Sequence, residues 1–391
     1  MKTFKQKLKT KGPKRILALD GGGIRGALTL GYLKHIEDYL RKQHKNPDLL
    51  LGDYFDLIGG TSTGSIIASA LAIGLSVDEI KQKYFELGTK IFGRKYKWWR
   101  IFEIDDAFKA KYDHQALDSE LKSVFGDITL GDTDHLKTGL CIVAKRADTN
   151  SVWTLLNHPD GKFFDSEHGN NSKIPIWKAV RASAAAPTYF LPQSIEVGGD
   201  MGYAAFVDGG VSMANNPALQ LLMVSTMSGF PFKWEMGEDK ILLTSVGTGM
   251  HQMKKLPKKI QKNHLLNWAS EIPNMLMEDA SWQNQTILQW ISNSPTPQFI
   301  DRQTGDLRND LLGFGQKKRD PLLHYLRYNV LLDVDDLNKR FNPEKPYTQK
   351  VVDDLAAMDN AKNCQKLYDL GYEAGSQEIK AKHFPSGFMI D

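Results

Sequence analysis

Cysteine is nearly absent from this sequence. Its 391 residues include only Cys141 and Cys364, far apart, which excludes a disulfide framework and any zinc-type cysteine spacing. Long hydrophobic runs are missing too, the longest apolar stretches falling well short of the roughly 20 residues that span a bilayer. The apolar run Ile16 to Leu19 ends at Asp20 and is too short for a signal-peptide core, so a cytoplasmic location is the expectation. There is no large charge of one sign. Lys and Arg number 50 against 46 Asp and Glu, a net +4, which does not point to nucleic acid as a partner. Internal repeats and low-complexity segments are also lacking. What remains, 41% hydrophobic and 25% charged, suits a globular chain built as one large domain or as one domain with a sizeable extension, two independent domains being allowed but not required.

Two stretches have a composition of their own. Lysines 2, 5, 7, 9, 11 and 14 with Arg15 make the first fifteen residues strongly basic. This reads as a solvated, disordered tail, with attraction to anionic lipid headgroups as the alternative. Between 91 and 112, Phe92, Tyr96, Trp98, Trp99, Ile101 and Phe102 alternate with Arg94, Lys95, Lys97 and Arg100. Such a mixture suits either an aromatic core segment with solvated charges or a water–lipid interface.

Periodicity gives the architecture. Arg15 to Leu19 is a buried apolar run, Asp20 to Gly26 a glycine turn, and Leu28, Tyr32, Leu33, Ile36 and Leu40 recur at helical spacing. The unit repeats at once: 54 to 60 is a second apolar run and 65 to 74 a small-residue helix ending at Gly74. Ser76 and Glu79 form a capping box for a further helix toward Leu87. Runs 139 to 144 and 152 to 156 read as a hairpin, 177 to 186 as a helix stopped by Pro187, and 206 to 210 as a strand ending in a tight turn. Residues 240 to 249 read as one more strand, after which the chain turns mostly helical. The expected fold is α/β, a three-layer αβα arrangement with a mostly parallel central sheet and a largely helical C-terminal extension.

The strongest chemical signal is Gly60-Thr61-Ser62-Thr63-Gly64, placed between a strand and a small-residue helix. A serine on such a sharp, strained turn is a nucleophile elbow, and its neighbours two positions away must be small for the turn to close. The second signal is Asp20-Gly21-Gly22-Gly23-Ile24-Arg25-Gly26. Its backbone N–H groups can converge on one small volume that suits a phosphate or an oxyanion. Gly21, Gly23 and Gly26 also satisfy the dinucleotide-binding fingerprint. That reading needs an acidic residue at the end of the next strand. The nearest candidate, Asp48, lies in a loop-like stretch, and Ser62 would be left unexplained. A serine nucleophile also needs a base. Of the later histidines 251, 264, 324 and 383, only His251 follows a glycine-rich strand exit, and its surroundings do not match a triad loop. Asp208 in Val-Asp-Gly-Gly (207 to 210) can fill that role if partial burial raises its pKa, or it can be an Asp-Gly turn without chemistry.

In their order, Asp20 to Gly26, Gly60 to Gly64 and Asp208 to Gly210 resemble the three signature blocks of the patatin-like phospholipase family. The stretch Ala182 to Phe190 is similar to a family segment that precedes the Asp block. The resemblance covers residue 16 to about 220. It divides the chain into a basic segment 1–15, a catalytic domain 16–220 and an extension 221–391 that supplies the strand near 240–249. It implies a Ser62–Asp208 dyad, with Gly21, Gly22 and Gly23 as oxyanion donors and Arg25 holding the loop or the phosphate side of the substrate. No cofactor and no metal is expected. The function implied is calcium-independent hydrolysis of fatty-acyl esters of membrane glycerolipids, of phospholipase A or lysophospholipase type, through an acyl-serine intermediate and with transient peripheral membrane contact. Two alternatives stand beside it: a signal-activated defence or regulatory effector phospholipase, suggested by the extension beyond 250, and a dinucleotide-binding oxidoreductase module.

Overall fold

The computed structural model describes residues 3–92, 112, 114–187, 189–199, 202–251, 257–261, 265–298 and 320–390. Among these, the strands are β1 (Lys14–Leu19), β2 (Leu57–Thr61), β3 (Gly139–Arg146), β4 (Ser151–Leu156), β5 (Gln193–Glu196), β6 (Tyr203–Asp208), β7 (Ile241–Val246) and β8 (His324–Tyr328). They form one sheet in the order β5-β6-β3-β2-β1-β7-β8, with β4 paired to β3 off that path. The run β3-β2-β1-β7-β8 is parallel throughout, and β4, β5 and β6 join it antiparallel.

The helices before the turn at Asp208 are α1 (Phe4–Lys9), α2 (Gly26–His44), α3 (Leu51–Tyr54), α4 (Thr63–Ala72), α5 (Val77–Phe92), α6 (His114–Phe125) and α7 (Ile176–Ser183). Those after it are α8 (Ala218–Thr226), α9 (Pro257–Ile260), α10 (Leu265–Trp290), α11 (Val334–Phe341), α12 (Gln349–Ala356) and α13 (Cys364–Glu378). Strand β1 shows why the layers form. Leu17 and Leu19 belong to the core that also holds α2, α5, α6 and α13, whereas Ile16 and Ala18 face the smaller core with α8 and Leu288 of α10. Side chains alternate across a strand, so a run apolar at every position is buried on both faces. The three-layer αβα expectation therefore holds, as does the hairpin, now β3 and β4.

The structure departs from the sequence reading in three places. The basic N-terminus is not a free tail from Thr3 onward. Thr3 and Gln6 close a capping box on α1, Phe4 is fully buried, and the Lys7 ammonium donates to the carbonyls of Gly52 (2.6 Å) and Phe55 (3.0 Å). A lysine that satisfies the carbonyl groups of a helix end reads, in sequence, like any other lysine. Helix α7 ends at Ser183 rather than 186, since Asp208 claims the Ala185 carbonyl. Strand β8 was not anticipated, because His-Tyr-Leu-Arg-Tyr is not an apolar run. Its five residues are nevertheless all buried. Asp48, as its loop-like surroundings indicated, is exposed in a turn before β2 and not at the strand end where a dinucleotide ribose would need a carboxylate. Of the aromatic and cationic segment 91–112, residues 93–111 lie outside the described residues. Both cysteines are buried and free.

Candidate active site

Ser62 sits between β2 and α4 with φ 53° and ψ −124°, a left-handed conformation that a non-glycine residue rarely holds. Such strain persists only where the surroundings over-determine it. A Cβ on Gly64 would stand 2.2 Å from the Leu19 carbonyl oxygen, so only glycine lets α4 start this close to β1. The elbow is also tied from β3. The Ser62 N–H donates to Ser183 Oγ at 2.8 Å, and the Ser183 hydroxyl donates to the Val143 carbonyl at 2.6 Å. The Ser65 hydroxyl closes the first turn on the Ser62 carbonyl at 2.6 Å.

The glycine loop lies directly against this turn, a Cβ placed on Gly21 being 3.3 Å from Ser62 Cβ. Its amides are not equivalent. The Gly21 N–H donates to the Asn215 carbonyl at 3.0 Å and the Ile24 N–H to the Met358 carbonyl at 2.8 Å. Among the described residues no acceptor is found for the N–H groups of Gly22 and Gly23. The Tyr84 hydroxyl on α5 donates to the Gly23 carbonyl and accepts from Thr63 Oγ1, binding the loop to the elbow. The Arg25 guanidinium reaches the Gly249 carbonyl at 3.3 Å, and its Nε is buried without a partner. Burial lowers the Arg25 pKa, offset by the carboxylates of Glu278 and Asp20.

Asp208 ends β6, two strands away from Ser62. It reaches the serine because the chain then crosses the end of β3. A Cβ on Gly209 would stand 2.5 Å from the Val143 carbonyl oxygen and 3.0 Å from Thr61 Cγ2, which leaves room for glycine alone. The Thr61 hydroxyl fastens the far side of this crossing to the Ala214 carbonyl at 2.6 Å. The Asp208 carboxyl is buried, accepts from the Gly210 N–H at 2.7 Å and lines the same cavity as Ser62. Burial pushes its pKa up to about 6 from 3.8, against the lowering effect of the Ser62 and Gly210 hydrogen bonds. A carboxylate poised there can take a proton from a neighbouring hydroxyl near neutral pH.

Ser62, Asp208 and Gly21 to Gly23 all open onto one cavity of about 1230 Å³. Ile24, Ile66, Leu87, Ile91, Leu117 and Phe190 give it an apolar wall, dimensions and chemistry suited to a long hydrocarbon chain. Helix α10 covers part of it with Leu276, Met277, Ala280 and Gln283. It is pinned by Asn284, whose amide donates to the Met213 carbonyl at 2.7 Å. Among the described residues no histidine lines the cavity. His251 instead faces Asp353 at 3.5 Å, and His383 is buried against the Tyr328 hydroxyl at 2.9 Å.

The structure thus brings together Ser62, Asp208 and the glycine loop, with Gly26, Gly60, Gly64, Gly209 and Gly210 shaping the turns between them. Sequence reasoning missed Ser183, Tyr84 and Asn215. Ser183 carried a signal, since it lies in the Ala182 to Phe190 stretch. Tyr84 and Asn215 carried none, because the fold alone makes them neighbours.

Comparison with known proteins identifies a family and several relatives. A family model described as patatin-like phospholipase matches residues 17–222. A protein named cGAMP-activated phospholipase, from Escherichia coli, is 29% identical over 240 residues, covering 60% of this chain and 62% of the relative. Patatin-1-Kuras 2 from Solanum tuberosum is 30% identical over 251 residues, covering 60% and 62%. The chain therefore spans about three fifths of the length of the curated relatives it matches. Among solved structures, VipD from Legionella pneumophila aligns over 92% of this chain and 67% of its own, at 12% identity and a TM-score of 0.35.

Proposed function

The chain belongs to the patatin-like phospholipase family, and from that premise we propose that it is a calcium-independent serine lipid acyl hydrolase of phospholipase A or lysophospholipase type. The observation that carries the reading is the convergence of Ser62 on its strained elbow, a buried Asp208 and the glycine loop on one large apolar cavity. In the proposed reaction Asp208 accepts the Ser62 proton as the hydroxyl oxygen attacks an acyl carbonyl. The carbonyl oxygen becomes an oxyanion received by the N–H groups of Gly22 and Gly23; Gly21, whose N–H is committed to Asn215, serves by holding the loop. The tetrahedral adduct collapses to an acyl-serine, and the alcohol leaves with the proton that Asp208 held. Water deprotonated by the same carboxylate then attacks the acyl-serine, releasing the fatty acid and restoring Ser62. The test is fatty-acid release from mixed phospholipid vesicles with chelator present. Release at an unchanged rate is expected, and no release from any glycerolipid overturns the assignment.

Ser183 is proposed to hold the elbow in its strained conformation. Ser183→Ala removes the acceptor of the Ser62 N–H and a donor to the Val143 carbonyl, which should cost about 1–3 kcal/mol of stability and about tenfold in kcat. Thermal denaturation and hydrolysis of a soluble short-chain ester read the two effects. An unchanged kcat contradicts the role.

Substrate access is proposed to occur at a membrane surface. Among the described residues no helix is long and apolar enough to cross a membrane. Val152, Val211, Met213 and Leu276 are all exposed and all line the cavity, so its mouth has an apolar rim. Ile272 and Met275 extend that rim along α10, exposed at the spacing of one helix face. Ile272→Glu with Met275→Glu is expected to lower binding to phospholipid vesicles about tenfold while a soluble ester is hydrolysed within about twofold of the unaltered rate. Unimpaired vesicle binding would remove this face from the account.

A second reading, activation by a signal molecule, is favoured by the relative named cGAMP-activated phospholipase. It predicts a chain nearly silent on vesicles until a cyclic dinucleotide is added. Full activity that no nucleotide raises removes it.

A further inference from the structure

We propose that Arg327, on the unanticipated strand β8, is the positioning residue that fixes the glycine loop against Ser62, and that it acts through Asp20. This deepens the acyl-hydrolase reading and rests on it for its kinetic consequences.

Arg327 is a guanidinium almost wholly removed from water. It makes a two-pronged contact with Asp20, Nη1 to Oδ1 at 2.9 Å and Nη2 to Oδ2 at 2.6 Å, with both side chains buried. It does so across an intervening strand. Asp20 follows β1, Arg327 belongs to β8, and β7 lies between them. On the way Nη1 also donates to Ser245 Oγ of β7 at 2.7 Å. The Ser245 hydroxyl in turn lies 3.5 Å from Asn216 Oδ1, and Asn216 adjoins the Asn215 whose carbonyl holds the Gly21 N–H. One guanidinium therefore joins the first residue of the glycine loop to the segment that follows Asp208.

A buried ion pair is a poor device for stability, since apolar residues of equal volume often serve as well or better. Its value here is geometric: a bidentate fork admits one orientation of the carboxylate. Asp20 lies two residues before Gly22, so any rotation about the Asp20 backbone moves the proposed oxyanion donors relative to Ser62. Beside the grips of Tyr84 and Asn215, three more on the loop come from the same half of the chain as Arg327. The Asp20 N–H donates to the Val246 carbonyl at 3.1 Å, Thr248 Oγ1 donates to the Gly21 carbonyl at 2.9 Å, and the Met358 carbonyl receives the Ile24 N–H. Val246, Thr248, Met358 and Arg327 itself lie beyond the matched region 17–222. The extension thus completes the site, and β8 contributes a charged clamp to it.

The test uses three full-length variants. Arg327→Lys keeps the charge and loses the fork. Asp20→Asn neutralises the partner. The double variant Asp20→Asn with Arg327→Gln replaces the pair by neutral groups of similar shape, and remains informative if a lone buried charge stops either single variant from folding. The readouts are kcat and KM on a soluble short-chain ester and hydrogen exchange at the amides of Asp20, Gly21 and Ile24. For each folded variant, kcat is expected to fall about 100-fold, as for a site displaced by about 1 Å, with KM within about twofold. The double variant should be no worse than either single one. The three amides should exchange at least about tenfold faster while those of β2 stay protected. Unchanged kcat in the folded variants, or losses that multiply in the double variant, overturn the proposal. If the unaltered chain hydrolyses no ester, the acyl-hydrolase reading fails by itself, and the exchange measurement still decides the clamp: unchanged protection of the three amides refutes it.

Discussion

Replacing Ser62 by alanine is expected to lower fatty-acid release by at least about 10⁴-fold, because the proposed mechanism takes its attacking oxygen from Ser62 and residual turnover must use water. The fold should survive. Alanine removes one hydroxyl and leaves intact the Ser62 N–H bond to Ser183 and the backbone of the elbow. Its melting temperature should match or exceed that of the unaltered chain, since the position is strained with or without the oxygen. Activity within tenfold of the unaltered rate would remove Ser62 from the mechanism.

The second large effect is at Asp208. Asp208→Asn keeps an acceptor for the Gly210 N–H but cannot take a proton, and a loss of about 10³- to 10⁴-fold in kcat is expected. In the unaltered chain kcat/KM should fall tenfold per unit below about pH 6, where the carboxyl becomes protonated, and this limb should vanish from the residual activity of the variant. Stability should move in the opposite direction. Burial raises the folded-state pKa to about 6 from 3.8. The folded chain therefore binds this proton more tightly than the unfolded chain, and stability contributed by the protonated form is lost as pH rises from about 4 through 6. At neutral pH the ionised group costs on the order of 3 kcal/mol, which asparagine does not incur. The inactive variant should thus melt higher than its parent at pH 7 and no higher at pH 4. A lower melting temperature at pH 7 would mean that Asp208 holds the fold together rather than waiting to act.

How much of this was legible beforehand differs from element to element. The elbow could be read because its requirement is local: a serine on a strand-to-helix turn needs small residues at 60 and 64, and both are written in the sequence. The glycine loop could be located but not resolved, since which amides remain available depends on the carbonyls of Asn215 and Met358, far along the chain. Asp208 was found through the want of a histidine, and the structure adds what brings it to Ser62, the crossing of β3 at Gly209. Strand β8 was illegible for a physical reason. Its arginine breaks the apolar pattern by which a buried strand is recognised, and the Asp20 carboxylate, some 300 positions earlier, with the Ser245 hydroxyl makes that arginine tolerable in the core. The basic N-terminus misled similarly, because Lys7 is held by carbonyls that sequence does not reveal.

The central claim, that Ser62 is a nucleophile activated by Asp208, is tested most directly by covalent trapping. The full chain is incubated with a long-chain alkyl fluorophosphonate, and the modified peptide is identified by mass spectrometry. One adduct per chain is predicted, on Ser62, forming at least about 100-fold more slowly in Asp208→Asn. An adduct on a different residue, or equal rates in the two proteins, would contradict the dyad.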